Sequence, residues 1–124
     1  PGQIVRTDPE RDLSLVLTTT QPPGYVDLDR ARLVVGHGES VYAMGCPAHL
    51  GETVRSGRAR MPMRRVGSEV LWELELQTLP GSSGSPVFDA AGRLLGMVKG
   101  RWRGEDSRGL AIPSETLLRF LSRP

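Results

Sequence analysis

The stretch "LPGSSGSPVFDAAGRLLGMV", residues 79–98, places three serines in four positions among glycines and then continues as an apolar hairpin. Glycines before and after a serine let the backbone turn tightly and leave the space around the hydroxyl open. Backbone N–H groups in such a turn can stabilise the oxyanion that forms when a serine attacks a carbonyl carbon. We therefore predict that Ser83 is a nucleophile and that the N–H groups of Gly81 and Ser83 form its oxyanion hole. Turn chemistry alone favours a plainer interpretation, a Gly/Ser surface turn between two strands.

The length and composition indicate one globular domain, with 124 residues of which 38% are hydrophobic and 24% charged. No apolar run approaches the roughly 18 residues that span a membrane, so we expect no membrane span. The first residue is proline and no signal peptide is visible. We therefore expect a processed, trimmed or engineered piece of a longer chain, whose export route the sequence does not give.

The charged residues and the few metal-binding residue types limit the possible partners. The net charge of +2 comes with scattered arginines that aromatic residues do not interleave, so we expect no nucleic-acid partner. Cys46 is the single cysteine, which excludes an internal disulfide and a cysteine-based zinc site. His37 and His49 lack the spacing of metal ligands, and we expect neither a metal nor a cofactor.

Short apolar runs punctuated by 15 glycines and 10 prolines predict an all-β barrel or sandwich. In residues 72–76 apolar and acidic side chains alternate, as they do on the two faces of one strand. Residues 89–93 form a candidate hairpin turn, and Ser114 is a candidate N-cap for a C-terminal helix. The apolar stripe of that helix comprises Leu117, Leu118, Phe120 and Leu121. The predicted strands are 3–6, 13–18, 40–44, 53–61, 69–77, 86–89, 94–102 and 109–112.

The stretch 79–98 resembles the nucleophile segment of trypsin-like, chymotrypsin-fold serine proteases, in particular the bacterial HtrA-like branch. That family has Pro-Gly-Asn-Ser-Gly-Gly-Pro, then an apolar strand, a turn with glycine and a second strand. Serine replaces the asparagine at Ser82 and the second glycine at Ser85. The matching residues are Pro80, Gly81, Ser83, Gly84 and Pro86.

Three further stretches resemble the family in the family's order. "DPERDLSLVL", residues 8–17, is similar to the strand of the triad aspartate, which makes Asp12 that candidate. "GESVYAMGCPAHLGETVRSG", residues 38–57, resembles the strand, loop and strand after the interdomain linker, and implies that Cys46 is a packing residue. "GLAIPSETLLRFL", residues 109–121, resembles the last strand and closing helix.

This resemblance implies a chymotrypsin-like Greek-key fold in which the first barrel is only partial. Residues 1–20 would be the last strands of the N-terminal β-barrel, and residues 21–30 a linker. Residues 31–124 would be the complete C-terminal β-barrel and its helix. The resemblance further implies a serine endopeptidase, an extended polypeptide substrate and an extracytoplasmic location.

A catalytic histidine is missing from its expected place. The family places it before the aspartate strand, whereas His37 and His49 both follow that strand, and we interpret them as surface-loop residues. Since a triad needs a histidine base, we expect the chain by itself to be inactive. Three alternatives stay open: a severed protease whose histidine lies in another segment, a non-catalytic homologue that binds extended peptides, and a fragment that associates with a second copy.

The resemblance also implies substrate contacts. The substrate would add as a strand along Lys99, Gly100 and Arg101. The pocket for the side chain before the scissile bond would be lined by Gln77, Thr78, Leu79 and Leu110. No acidic residue stands at the position that selects lysine or arginine, so we expect small or medium apolar side chains.

Lys99 departs from the family, which usually has a small hydroxyl residue in contact with the triad aspartate. Two alternatives follow from its charge. The ammonium group could pair with Asp12 and compete with a histidine, or it could point to solvent.

Overall fold

The computed structural model describes residues 2–45, 53–76, 82–101 and 109–122. Its first unit is an antiparallel hairpin of β1 (Gly2–Asp8) and β2 (Leu13–Thr18). Asp8 closes the turn, because its carboxylate accepts the backbone N–H of Arg11 at 3.2 Å and pairs with the Arg11 guanidinium at 3.0 Å. Asp12 ends the turn with a φ of 56°, a left-handed conformation that aspartate tolerates better than most residues.

The second unit is a closed barrel of six strands in the order β3-β4-β5-β8-β7-β6, with antiparallel neighbours throughout. A connecting segment with one short 3-10 turn (Leu28–Arg30) joins it to the hairpin. The barrel and the single C-terminal helix confirm the predicted all-β fold class. The strands are β3 (Ser40–Gly45), β4 (Thr53–Val66), β5 (Glu69–Glu75), β6 (Pro86–Phe88), β7 (Leu94–Arg101) and β8 (Gly109–Pro113).

Strand β4 extends past the predicted end at Met61 and reaches Val66. A register shift between Arg60 and Arg64 absorbs Pro62, so pairing with β5 resumes beyond the proline.

Two apolar clusters organise the barrel. The first fills the interior and includes Val41, Trp72, Leu74 and Val98, all buried. The second lies on the outer face, where Leu13 of the hairpin meets the barrel and the helix. Its other buried members are Leu71, Leu94, Leu110, Ile112, Leu117 and Phe120.

Helix α1 (Ser114–Ser122) attaches the hairpin to the barrel. Ser114 is fully buried, and its hydroxyl donates to the carbonyl of Leu94 at 3.1 Å, so it ties the helix to β7. This bond was not anticipated from the N-cap assignment. At the other end, the guanidinium of Arg6 donates to the carbonyl of Phe120 at 2.6 Å and lies 5.8 Å from the centre of its ring. Within the described part of the chain, no helix is long and apolar enough to cross a membrane.

Candidate active site

Residues 82–85 form a tight turn between β5 and β6. The backbone N–H of Ser85 donates to the carbonyl of Ser82 at 3.0 Å, and Gly84 has a φ of 91°, which favours glycine. Two further backbone bonds fasten the turn to β7, from Gly84 to the carbonyl of Val98 at 2.7 Å and from Val98 to the carbonyl of Ser85 at 2.8 Å. The turn therefore has a defined position relative to β7.

Ser83 lies exposed on this turn, whereas Ser82 beside it is buried. The hydroxyl of Ser83 donates to the carbonyl of Lys99 at 3.0 Å. A serine held in this way is accessible to a ligand, and its proton points to a backbone acceptor. The other residue assigned to the oxyanion hole, Gly81, lies outside the described residues.

Asp12 is exposed at the end of the β1–β2 turn. Its neighbour Asp8 is buried and bound by Arg11. Among the described residues, no side chain bonds to the carboxylate of Asp12. Of the two aspartates, Asp12 is thus the one whose carboxylate a further residue can reach.

The ammonium group of Lys99 pairs with Glu69 at the start of β5. Their side chains are 23% and 13% exposed, so the pair is shielded from bulk water. Neither alternative for Lys99, a pair with Asp12 or a solvent-facing ammonium, describes this arrangement. The barrel brings β5 and β7 to either side of β8, which places two residues that lie 30 positions apart in the sequence within bonding distance.

The residues predicted to contact substrate are only partly described. Lys99 and Gly100 lie on β7, where the register shifts between Val98 and Gly100, and the backbone of Arg101 pairs with Gly109. Leu110 is buried in the cluster shared with the hairpin and the helix. Gln77, Thr78 and Leu79 lie outside the described residues.

A family model for the trypsin-like peptidase domain matches residues 1–97. The chain belongs to the trypsin-like peptidase family. No curated relative matches the sequence significantly.

Solved structures of proteases share the fold of this trypsin-like peptidase chain. The Rv3671c protease of M. tuberculosis, in its active form, has a TM-score of 0.87 at 21% identity, and the match covers 98% of this chain and 57% of that one. The MamO protease domain of Magnetospirillum magneticum has a TM-score of 0.80 at 24% identity, with 99% and 68% covered. The HtrA-type protease AlgW, solved with a tripeptide, has a TM-score of 0.79 at 28% identity, with 97% and 42% covered. The chain thus spans about half the length of two of these three proteases.

Of the two histidines of this trypsin-like peptidase, the structure describes His37, and it shows no bond between His37 and Ser83. His37 is exposed in the turn before β3, and its Nδ1 accepts the backbone N–H of Met61 at 2.9 Å. His49 lies outside the described residues. No group of three or more His, Cys, Asp or Glu residues that could hold a metal occurs in the described ranges.

An ion-pair network that the sequence did not predict holds the hairpin turn at residues 89–93. Arg32 pairs with Glu39 and, at 3.3 Å, with the buried Asp89. Asp89 also accepts the backbone N–H groups of Ala91 at 2.9 Å and Arg93 at 2.8 Å, as well as the Arg93 guanidinium at 2.8 Å. The sequence showed the turn at 89–93, but it gave no signal that an arginine 57 positions earlier would bind it.

Two carboxyl groups of this network have pKa values below their ordinary range. Hydrogen bonding from Arg32 lowers the pKa of Glu39, against the opposing effect of burial. Burial alone would raise the pKa of Asp89, but the bonds from Arg93, Ala91 and Arg32 outweigh it and lower that pKa. The network is therefore charged at neutral pH.

Proposed function

We propose that this chain carries the nucleophile of a trypsin-like serine endopeptidase, which hydrolyses peptide bonds through an acyl-enzyme at Ser83. The single observation that carries the proposal is the position of Ser83, exposed on a turn that two backbone bonds fasten to β7. A nucleophile must be accessible and must also be held in place, since a small displacement reduces the attack rate severely. A mobile surface linker would not need these bonds.

The proposed mechanism requires a base that accepts the proton of Ser83. Among the described residues, no histidine bonds to the Ser83 hydroxyl. Asp12 would orient a histidine supplied by a segment outside this sequence and would stabilise the imidazolium formed when Ser83 gives up its proton. The N–H groups of Gly81 and Ser83 would bind the oxyanion. The greater length of the matched proteases supports a contribution from further chain.

The proposed substrate is a polypeptide in extended conformation. It would add as a strand along Lys99, Gly100 and Arg101, and Gln77, Thr78, Leu79 and Leu110 would line the pocket for a small or medium apolar side chain. AlgW, the HtrA-type relative at 28% identity, was solved with a tripeptide, which supports a peptide ligand for this chain.

Labelling with a fluorophosphonate, read by intact mass, tests the nucleophile. We expect the chain alone to label slowly or not at all, and a longer form that contains an upstream histidine to label once, at Ser83. Ser83→Ala should abolish that label. Ser85→Ala, two positions along the same turn, is the matched control and should retain it. Labelling of the longer form that survives Ser83→Ala would contradict the assignment.

A non-catalytic homologue that binds extended peptides is the second candidate. Two hydrogen bonds favour it. The Ser83 hydroxyl donates to the backbone carbonyl of Lys99, and Nδ1 of His37 accepts the backbone N–H of Met61. This candidate predicts saturable binding of an unlabelled extended peptide together with no fluorophosphonate labelling of any form of the chain. Rapid labelling of the longer form would exclude it.

A further inference from the structure

The Lys99–Glu69 ion pair involves the residue whose carbonyl binds Ser83 on the turn of residues 82–85. The carbonyl of Lys99 accepts the Ser83 hydroxyl, whereas its ammonium group bonds to Glu69. Both side chains are less than one quarter exposed, and a pair shielded to this degree is screened by water less than a surface pair is. The pair therefore fixes where the positive charge of Lys99 is located.

The turn that carries Asp12 lies on the same side of the barrel. Arg11, the residue before Asp12, and Glu69 line one cavity of about 280 Å³, whose wall includes Trp72. Glu115 and Arg119 of α1, which pair with each other at 2.7 Å, also line it. Arg11 is bound by Asp8, so each of the other charged groups around the cavity has an opposite charge as its partner. Asp12 does not line the cavity itself but follows Arg11 directly in the chain; its carboxylate is exposed, and no side chain among the described residues bonds to it.

If Glu69 lost its charge, the exposed carboxylate of Asp12 would attract the ammonium group of Lys99 from the same side of the barrel. The ammonium group of a lysine is a point charge on a long side chain with several rotatable bonds, so it can exchange one carboxylate for another. On Asp12 it would occupy the oxygens that must accept a histidine N–H. It would also neutralise the negative charge that stabilises an imidazolium.

We propose that Glu69 is a positioning residue, which holds the ammonium group of Lys99 away from Asp12 and so leaves Asp12 available to orient a base. The role given to Asp12 rests on the proposed function. The competition between Glu69 and Asp12 for Lys99 does not, because it requires only the charges and contacts of this chain.

Carbon-13 NMR of the side-chain carboxyl carbons of the 124-residue chain at pH 7 tests the proposal without any activity. In Glu69→Gln, which keeps the shape but removes the charge, we expect the Asp12 carboxyl resonance to shift as Lys99 moves to it. In Glu69→Gln combined with Lys99→Met, the resonance should return to its original position. Glu69→Asp, which keeps the charge, should leave it in place.

The matched control is Glu75→Gln. Glu75 lies on the same face of β5, where its partner is Arg60, and its loss should not affect the Asp12 resonance. An unchanged Asp12 resonance in Glu69→Gln would overturn the proposal, and so would a shift that persists after Lys99→Met. If Glu69→Gln does not fold, Glu69→Ala provides the second charge-removing variant. A reversible shift supports the role of Glu69 even if no form of the chain labels at Ser83, so the two proposals can fail separately.

Discussion

At Gly96 the backbones of β7 and β8 lie too close together to admit a side chain. A Cβ built on Gly96 would lie 2.3 Å from the carbonyl oxygen of Ile112 and 3.3 Å from the ring of Trp72. The first of these neighbours is backbone, which cannot rotate away. Gly100 on the same strand has no neighbour within 4 Å of a Cβ. One strand thus contains a glycine that the packing requires and one that it does not.

We predict that Gly96→Ala destabilises the chain by about 1–3 kcal/mol, because β7 and β8 must separate to admit a methyl group. Gly100→Ala is the matched control. We expect it to raise the free energy of unfolding by no more than about 1 kcal/mol, because alanine restricts the conformations of the unfolded chain. Urea unfolding of the three proteins measures both effects. Equal midpoints for the two variants would contradict the packing argument.

At the scale of the elements, the Arg32 network joins three parts of the fold. Arg32 lies in the connecting segment, Glu39 just before β3, and Asp89 in the turn between β6 and β7. The backbone N–H of Arg32 also donates to the carbonyl of Leu94 at 2.8 Å, which fixes the segment at the start of β7. Since β6 directly follows the turn of residues 82–85, this network supports the strand into which that turn leads.

We predict that acid weakens the fold through Glu39 and Asp89. Both carboxyl groups have a lower pKa in the folded chain than their ordinary values near 4. Their contribution to the free energy of unfolding is therefore complete at pH values above the ordinary pKa. This stabilisation is lost as the pH falls through the lowered pKa values of the folded chain. Thermal unfolding between pH 7 and pH 2 should therefore show a decline that begins below about pH 5.

Arg32→Gln tests the origin of that decline. It should lower the stability at pH 7 by about 1–3 kcal/mol, since it leaves a buried carboxylate without one partner, and should make the loss on acidification smaller. Arg119→Gln removes the exposed pair with Glu115 and should change neither quantity measurably. An unchanged acid profile in Arg32→Gln would assign the decline to other groups.

For the whole molecule, the sequence predicted what depends on local pattern. Alternation in residues 72–76 and glycine turns such as 89–93 identified the strands, because a strand shows its two faces every second residue. The pairs of Lys99 with Glu69 and of Arg32 with Asp89 were not predictable, because barrel closure brings together residues far apart in sequence. The placement of Ser83 as the nucleophile stays a prediction from resemblance, consistent with an exposed serine on a fastened turn.

The hairpin of β1 and β2 carries the last prediction. A two-stranded sheet is marginal alone, and in the described ranges no third strand pairs with either strand. Ile4, Val16 and Leu17 are 62%, 47% and 63% exposed. Unpaired strand edges beside exposed apolar side chains favour pairing with a second copy. We therefore expect the 124-residue chain to form dimers as its concentration rises, observed by sedimentation velocity.

A charge introduced on the hairpin distinguishes dimerisation through this surface from nonspecific association of the chain. Leu17→Lys should weaken dimerisation about tenfold or more, because pairing would bury the ammonium group. Val34→Lys places the same charge on a valine of the connecting segment that is 73% exposed, and should leave the dimer unchanged. If both variants weaken association equally, the added charge itself and not the hairpin is responsible. A monomer at every concentration would show that the hairpin edge does not recruit a second copy.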